Sequence, residues 1–175
     1  MGTPMEILLA QLSGALSAEL TPLAAAQAAS RCLHAANLSP EALSPEQRIG
    51  SETGYISRVI HAQREPLFSI SRLVWLPGQR TTIHDHLCWG AVCVLQGVEE
   101  ETTYRLSKDD SGDYLQQRRT ITYTPGSITA FAPPEDVHQV HNAGDDVTIS
   151  IHVYGADLTG DLSSIQNVYT PDLIR

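Results

Sequence analysis

Residues 78–97 read G-Q-R-T-T-I-H-D-H-L-C-W-G-A-V-C-V-L-Q-G, placing His84 and His86 one residue apart in a run rich in Thr, Val, Ile and Trp. Side chains alternate between the two faces of a strand, so residues i and i+2 share one. Both imidazoles then project side by side. A third histidine, His138, follows in F-A-P-P-E-D-V-H-Q-V-H-N at 131–142. Three imidazoles converging inside a β-barrel make a metal site with room left for substrate. Zn, Fe, Co, Ni and Cu all suit such a donor set, and the affinity order does not select among them. An isolated strand histidine is more often a hydrogen-bonded structural group, so the combination carries the metal reading. His34, His61 and His141 fall outside the pattern, His141 on the wrong parity from His138, and read as structural or exposed.

The surrounding sequence has the texture of a barrel. From Gly54 onward, short β-branched and aromatic runs occupy 55–61, 68–75, 91–95, 100–106, 115–122, 127–130, 139–141 and 148–154. Pro77-Gly78, Gln96-Gly97, Asp109 to Gly112, Pro125-Gly126, Pro133-Pro134 and Ala143 to Asp145 separate them as turns. About eight short strands at this spacing predict an antiparallel sandwich or barrel. Upstream, Leu8, Leu9, Leu12, Leu16 and Leu20 form one helical stripe. Thr21-Pro22 is a cap and first-turn proline that starts a second helix over Leu23 to Ala36. Ser39-Pro40 and Ser44-Pro45 repeat that start signal, predicting one or two short helices. Beyond Leu158 the chain reads as a polar tail with one more strand near Val168.

At 175 residues the chain reads as one domain, long enough to bury roughly 70% of its unfolded surface. Helices are expected over 1–50, the barrel over 51–157 and the tail over 158–175. A net charge of -9 excludes a basic face that could neutralise phosphates, so nucleic acid and anionic membrane surfaces are not expected partners. Cys32, Cys88 and Cys93 are an odd set without disulfide or zinc-ribbon spacing, expected as small apolar filler in a reducing cytosol. No apolar stretch reaches membrane-spanning length, and Arg31 is the first basic residue. These features predict a cytoplasmic protein.

The spacing G-x5-H-x-H-x10-G, from Gly78 to Gly97, resembles the first motif of the cupins. Pro133, His138 and Asn142 match the second, with Glu135 where that motif has glycine. Most cupins ligate metal with a Glu four residues after the second histidine; here Gly90 stands there. The resemblance implies a mainly β fold, a cupin double-stranded β-helix (jelly-roll barrel) with an N-terminal helical layer.

In Thr148-Ile149-Ser150-Ile151-His152-Val153-Tyr154, the residues Ser150, His152 and Tyr154 share one face and Ile149, Ile151 and Val153 the other. Such alternation describes either a solvent-exposed polar face or a hydroxyl–imidazole–phenol relay aimed into the lumen. Here H-D-H at 84–86, W-G at 89–90, L-Q-G at 95–97, V-H-Q-V at 137–140 and S-I-H-V-Y-G at 150–155 resemble the thiol dioxygenases. This is the cupin family of cysteine dioxygenase and 3-mercaptopropionate dioxygenase. The resemblance implies Fe(II) on His84, His86 and His138, and an outer triad of Ser150, His152 and Tyr154. It also implies addition of both atoms of O2 to the sulfur of a small thiol-carboxylate: cysteine, 3-mercaptopropionate or mercaptosuccinate. Mammalian-type cysteine dioxygenases cross-link a cysteine at the position of Gly90 to the tyrosine matching Tyr154; with Gly90, no such link is expected. The family's substrate-anchoring Y-x-R or Y-x-Q falls on Tyr55-Ile56-Ser57, one residue short of Arg58. A one-residue bulge turning Arg58 inward would let its guanidinium, together with Tyr154, hold a substrate carboxylate; Arg80 and Arg72 are weaker candidates. Trp89 and Ile83 are expected pocket walls. The rivals are another metal-dependent cupin enzyme, a hydrolase or isomerase, and a non-catalytic ligand-binding cupin.

Overall fold

The computed structural model describes residues 2–160 and 162–175. Helix α1 (Pro4–Ala15) is started by a capping box: Glu6 N–H donates to Thr3 Oγ1, and Thr3 N–H to the Glu6 carboxylate. Helix α2 (Pro22–Ala36) is capped by Thr21, and left-handed Asn37 closes it at φ 45°. The stripe expected to run through Leu20 ends sooner. Leu16 caps α1, and Leu20 is exposed in the following turn. Two single-turn 3-10 helices, Pro40–Ala42 and Glu46–Arg48, follow.

Ten strands come next: β1 (Ile56–Arg64), β2 (Leu67–Trp75), β3 (Ile83–His86), β4 (Gly90–Gln96), β5 (Glu99–Asp109), β6 (Gly112–Tyr123), β7 (Ile128–Phe131), β8 (His138–Asn142), β9 (Thr148–Tyr154) and β10 (Ile165–Tyr169). They form two five-stranded antiparallel sheets, ordered β1-β2-β9-β4-β7 and β10-β3-β8-β5-β6. Apart from the β1-β2 and β5-β6 hairpins, successive strands pass from one sheet to the other, which is the jelly-roll double-stranded β-helix of the cupins.

Strand parity settles what each sheet face does. Phe68, Ile70 and Val74 of β2, Ala91, Cys93 and Leu95 of β4, and Ile149, Ile151 and Val153 of β9 pack against Leu8, Leu12, Ala29 and Leu33 of the helices. Burying each large side chain there contributes on the order of 1.5–3 kcal/mol. That apolar face turns Ser150, His152 and Tyr154 toward the second sheet, as the lumen-facing reading requires.

The motif residues sit at the turns. Gly78 and Gly97 both adopt φ 77°, where a side chain is strained. Asn142, 1% exposed, donates from Nδ2 to the carbonyls of Trp75 and Asp146 and accepts from Gly144 N–H, tying two turns together. The tail is more than a polar appendage. Its strand β10 pairs with β3, and Asp85 fastens it by accepting from Asn167 N–H and Nδ2 and from the Tyr169 hydroxyl.

Candidate metal centre

Strands β3 and β8 pair through the single registered contact His84–His138, and His86 follows on the same face of β3. The three imidazoles are buried, and their candidate ligand atoms lie within 4.8 Å of one another. Each Nδ1 is already engaged. His84 donates to the Thr82 carbonyl at 2.9 Å, His86 to Asp136 Oδ2 at 2.9 Å and His138 to Glu101 Oε1 at 2.5 Å. With Nδ1 protonated and held, Nε2 is the free lone pair on every ring. The donor chemistry therefore fits a divalent transition metal, with the oriented outer partners such sites use.

Asp136 and Glu101 were not singled out from sequence. Asp136 also accepts the His86 backbone N–H at 3.2 Å, and the Tyr123 hydroxyl donates to Glu101 Oε2 at 2.9 Å. Burial works to raise the Glu101 carboxyl, but the His138 and Tyr123 hydrogen bonds outweigh it and hold it below the usual range. Three imidazoles alone would leave a dication's charge whole; two carboxylates one ring away offset it. Burial, with repulsion from His138 and His86, takes His84 down to about 3. His86 is lowered mainly by burial, against the pull of Asp136. Neutral imidazoles are the form that ligates. Asp136→Asn keeps an oxygen acceptor but removes the charge, and should weaken metal binding roughly 10–100-fold, measured by competition with a chromophoric chelator.

Gly90 explains the missing carboxylate ligand. A Cβ built on it would lie 2.2 Å from Phe131 Cζ. Phe131 occupies that volume and stacks on His86, ring centroids 4.1 Å apart. It is a site residue without a sequence signal, since only the cross-strand pairing of Gly90 with Phe131 brings it there. Glu135, which stands where the second motif has glycine, adopts a left-handed conformation at φ 78°, one that glycine takes without strain.

On the opposite wall, Ser150 Oγ and His152 Nε2 are 3.0 Å apart, as are His152 Nδ1 and the Tyr154 hydroxyl. The line is continuous. Burial, followed by repulsion from the three imidazoles, lowers His152 to about 3, and burial pushes the Tyr154 phenol well up. Centre and line face one cavity of about 560 Å³, also bordered by Leu73, Trp75, Val92 and Phe131, with tail residues Leu158 and Ser164.

Three expectations change. Arg58 is not turned into the lumen: the β1 bulge falls between Val59 and His61, one step too late. Its exposed side chain donates to the Ser57 carbonyl at 3.1 Å, and Arg58 still borders the cavity. Arg72 lies opposite it on β2, on the outer face, and Arg80 is exposed. Ile83 packs outside the cavity with Tyr104, Leu115 and Val137, and Trp89 packs on the helix-side core, so neither lines the pocket. Cys88 and Cys93 are buried thiols, both pushed up to about 11 by burial, which suits the filler reading. His141 faces Glu100 at 3.8 Å and His34 is exposed.

Fold and site together define a cupin with a buried three-imidazole centre suited to a metal ion. The chain belongs to the auxin binding protein family, whose model matches residues 51–156. Among solved structures, an uncharacterized conserved protein with a double-stranded β-helix domain from Klebsiella pneumoniae is similar at 18% identity over 71% of this chain and 93% of that one, TM-score 0.49. A cupin superfamily protein from Desulfitobacterium hafniense is similar at 20% identity over 69% and 96%, TM-score 0.46. A recombinant oxalate oxidase in complex with glycolate is similar at 18% identity over 63% and 55%, TM-score 0.47. The strand order and the family model carry the assignment, not these distant likenesses.

Proposed function

We propose that this protein is a non-haem Fe(II) thiol dioxygenase that converts a small thiol to its sulfinic acid. The supporting observation is the three-imidazole set, with no carboxylate ligand among the described residues, facing an unbroken Ser150–His152–Tyr154 line across one cavity. The reaction balances without a further reductant, because RSH and O2 together make RSO2H. His84, His86 and His138 would hold the iron, which would supply joint activation of a thiolate and O2.

The chain's own residues do the rest. Asp136, Glu101 and the Thr82 carbonyl fix the ring planes, so the reacting groups meet in one geometry. Phe131, stacked on His86, keeps water from the side where other cupins place a carboxylate. His152, held neutral, accepts from the Tyr154 hydroxyl or donates to it, and so decides which way that hydroxyl points at bound substrate. Substrates of the cysteine, 3-mercaptopropionate or mercaptosuccinate class fit this reading, with the exposed Arg58 on the cavity's border to meet a carboxylate.

One observation favours a second reading, a non-catalytic ligand-binding cupin. A cavity of about 560 Å³ lies in the range that holds larger ligands. Metal analysis with oxygen-electrode assays over a thiol panel separates the readings. Stoichiometric iron with thiol-dependent uptake and sulfinate product supports the dioxygenase; zinc without uptake supports a hydrolase or isomerase. Uptake absent under every metal, with a bound organic ligand, supports the binding protein. Within the first reading, Tyr154→Phe should retain iron yet lower kcat by roughly 10²-fold; unchanged turnover would remove the relay from the mechanism.

A further inference from the structure

The relay does not stop at Ser150. We propose that Glu99 is the proton terminus of the Tyr154–His152–Ser150 line, accepting through it the proton that a thiol releases at the three-imidazole centre. This rests on the dioxygenase reading for its substrate.

Glu99 opens β5 and is 3% exposed, yet its Oε1 is buried without a hydrogen-bond partner, as is Trp75 Nε1. Both residues line the same cavity as His152 and Tyr154. A buried carboxyl without a cation costs several kcal/mol if ionised, and among the described residues no Arg or Lys stands out as a partner of this one. Around it stand Glu101 on its own strand, His138 on β8, Ser150 on β9, Trp75 on β2 and Cys93 on β4. Burial dominates and lifts the carboxyl to about 7, against the opposing pull of the nearby Ser150 hydroxyl. A neutral structural Glu would need only to be satisfied. In this one Oε1 stays open: Ser150, the last member of the relay, and Trp75 are its polar neighbours, and neither closes a hydrogen bond on that oxygen.

The bonds balance. The thiol S–H breaks and its proton goes to Tyr154 oxygen as Tyr154 O–H passes to His152 Nδ1. His152 Nε2–H passes to Ser150 Oγ, and Ser150 O–H to the Glu99 carboxylate. One S–H is lost, one O–H is gained, and no electrons change hands. The proton returns the same way to water entering the emptied cavity. Protonated Glu99 reverses the direction of every hydrogen bond, so Tyr154 then donates into the cavity rather than accepting from it. Glu99 acts through Ser150 and His152, and is a positioning residue.

The test compares wild type, Glu99→Gln and Glu99→Asp. Glu99 must be ionised to accept, so wild-type kcat/KM for the oxidised thiol should rise with pH through a limb near 7. Glu99→Gln should lose that limb and fall about 10²-fold; Glu99→Asp should keep the limb. In the diamagnetic zinc-loaded protein, 15N NMR should show the His152 tautomer switching with pH in wild type and pH-independent in Glu99→Gln. An unchanged limb, or a His152 tautomer indifferent to Glu99→Gln, overturns the proposal. If the wild type oxidises no thiol, the dioxygenase reading falls, and the tautomer comparison still decides the role of Glu99.

Discussion

His86→Ala is expected to abolish stable metal binding and to take thiol-dependent oxygen uptake to background. Losing an oriented outer partner already weakens such sites 10–100-fold; losing a donor atom removes far more, because two imidazoles cannot enclose a face of the ion. His86 is the sharpest choice of the three. It carries Asp136 on Nδ1 and Phe131 on its ring, so its removal also leaves a buried carboxylate without its imidazole. That orphaned acceptor should lower stability by about 1–3 kcal/mol, less than unfolding requires, and the variant should remain folded by circular dichroism. Calorimetric titration with Fe(II) or Zn(II) reads the effect directly. Near-wild-type affinity in folded His86→Ala would show that these imidazoles do not form the site.

The largest stability effect is expected at Gly97. Its φ of 77° costs any L side chain about 1–2 kcal/mol. A Cβ there would also lie 2.2 Å from Thr148 Oγ1 and 2.7 Å from Thr148 Cα. The second contact is backbone, so no rotamer relieves it, and overpacking of this kind adds roughly 1–3 kcal/mol. Thr148 Oγ1 further accepts the Val98 N–H at 2.9 Å, a bond worth about 1 kcal/mol. Gly97→Ala should therefore lose roughly 3–6 kcal/mol and lower Tm by roughly 6–24 °C. Gly78→Ala serves as the control: the same φ of 77° with no atom within 4 Å of the added Cβ, and so a loss of only about 1–2 kcal/mol. Equal losses in calorimetric unfolding would show that the Thr148 contact contributes nothing.

The Ser150, His152 and Tyr154 face and the His84, His86 pair were legible because alternation is a property of any strand, whatever it packs against. Arg58 was not, because a bulge position is set by the partner strand: Val59 pairs with Ser71 and His61 with Ile70. The run Glu99-Glu100-Glu101 was equally opaque. Three adjacent carboxylates suggest a solvated face, and only pairing with β8 and β6 turns Glu99 and Glu101 inward and Glu100 toward His141.

Sequence alone determined the helical layer, most of the strand sequence, the three imidazoles and the shared face of Ser150, His152 and Tyr154, since caps, turns and period-two patterning act over a few residues; the short strand β3 (Ile83–His86) was not among the expected runs. Tertiary structure alone decided what surrounds them: Asp136 on His86, Glu101 on His138, Phe131 in the space beside Gly90, and the buried Glu99 on the cavity wall. The reason is sequence separation. Glu101 and His138 are 37 residues apart and His86 and Asp136 are 50, so their meeting depends on sheet register and packing, which no local pattern encodes.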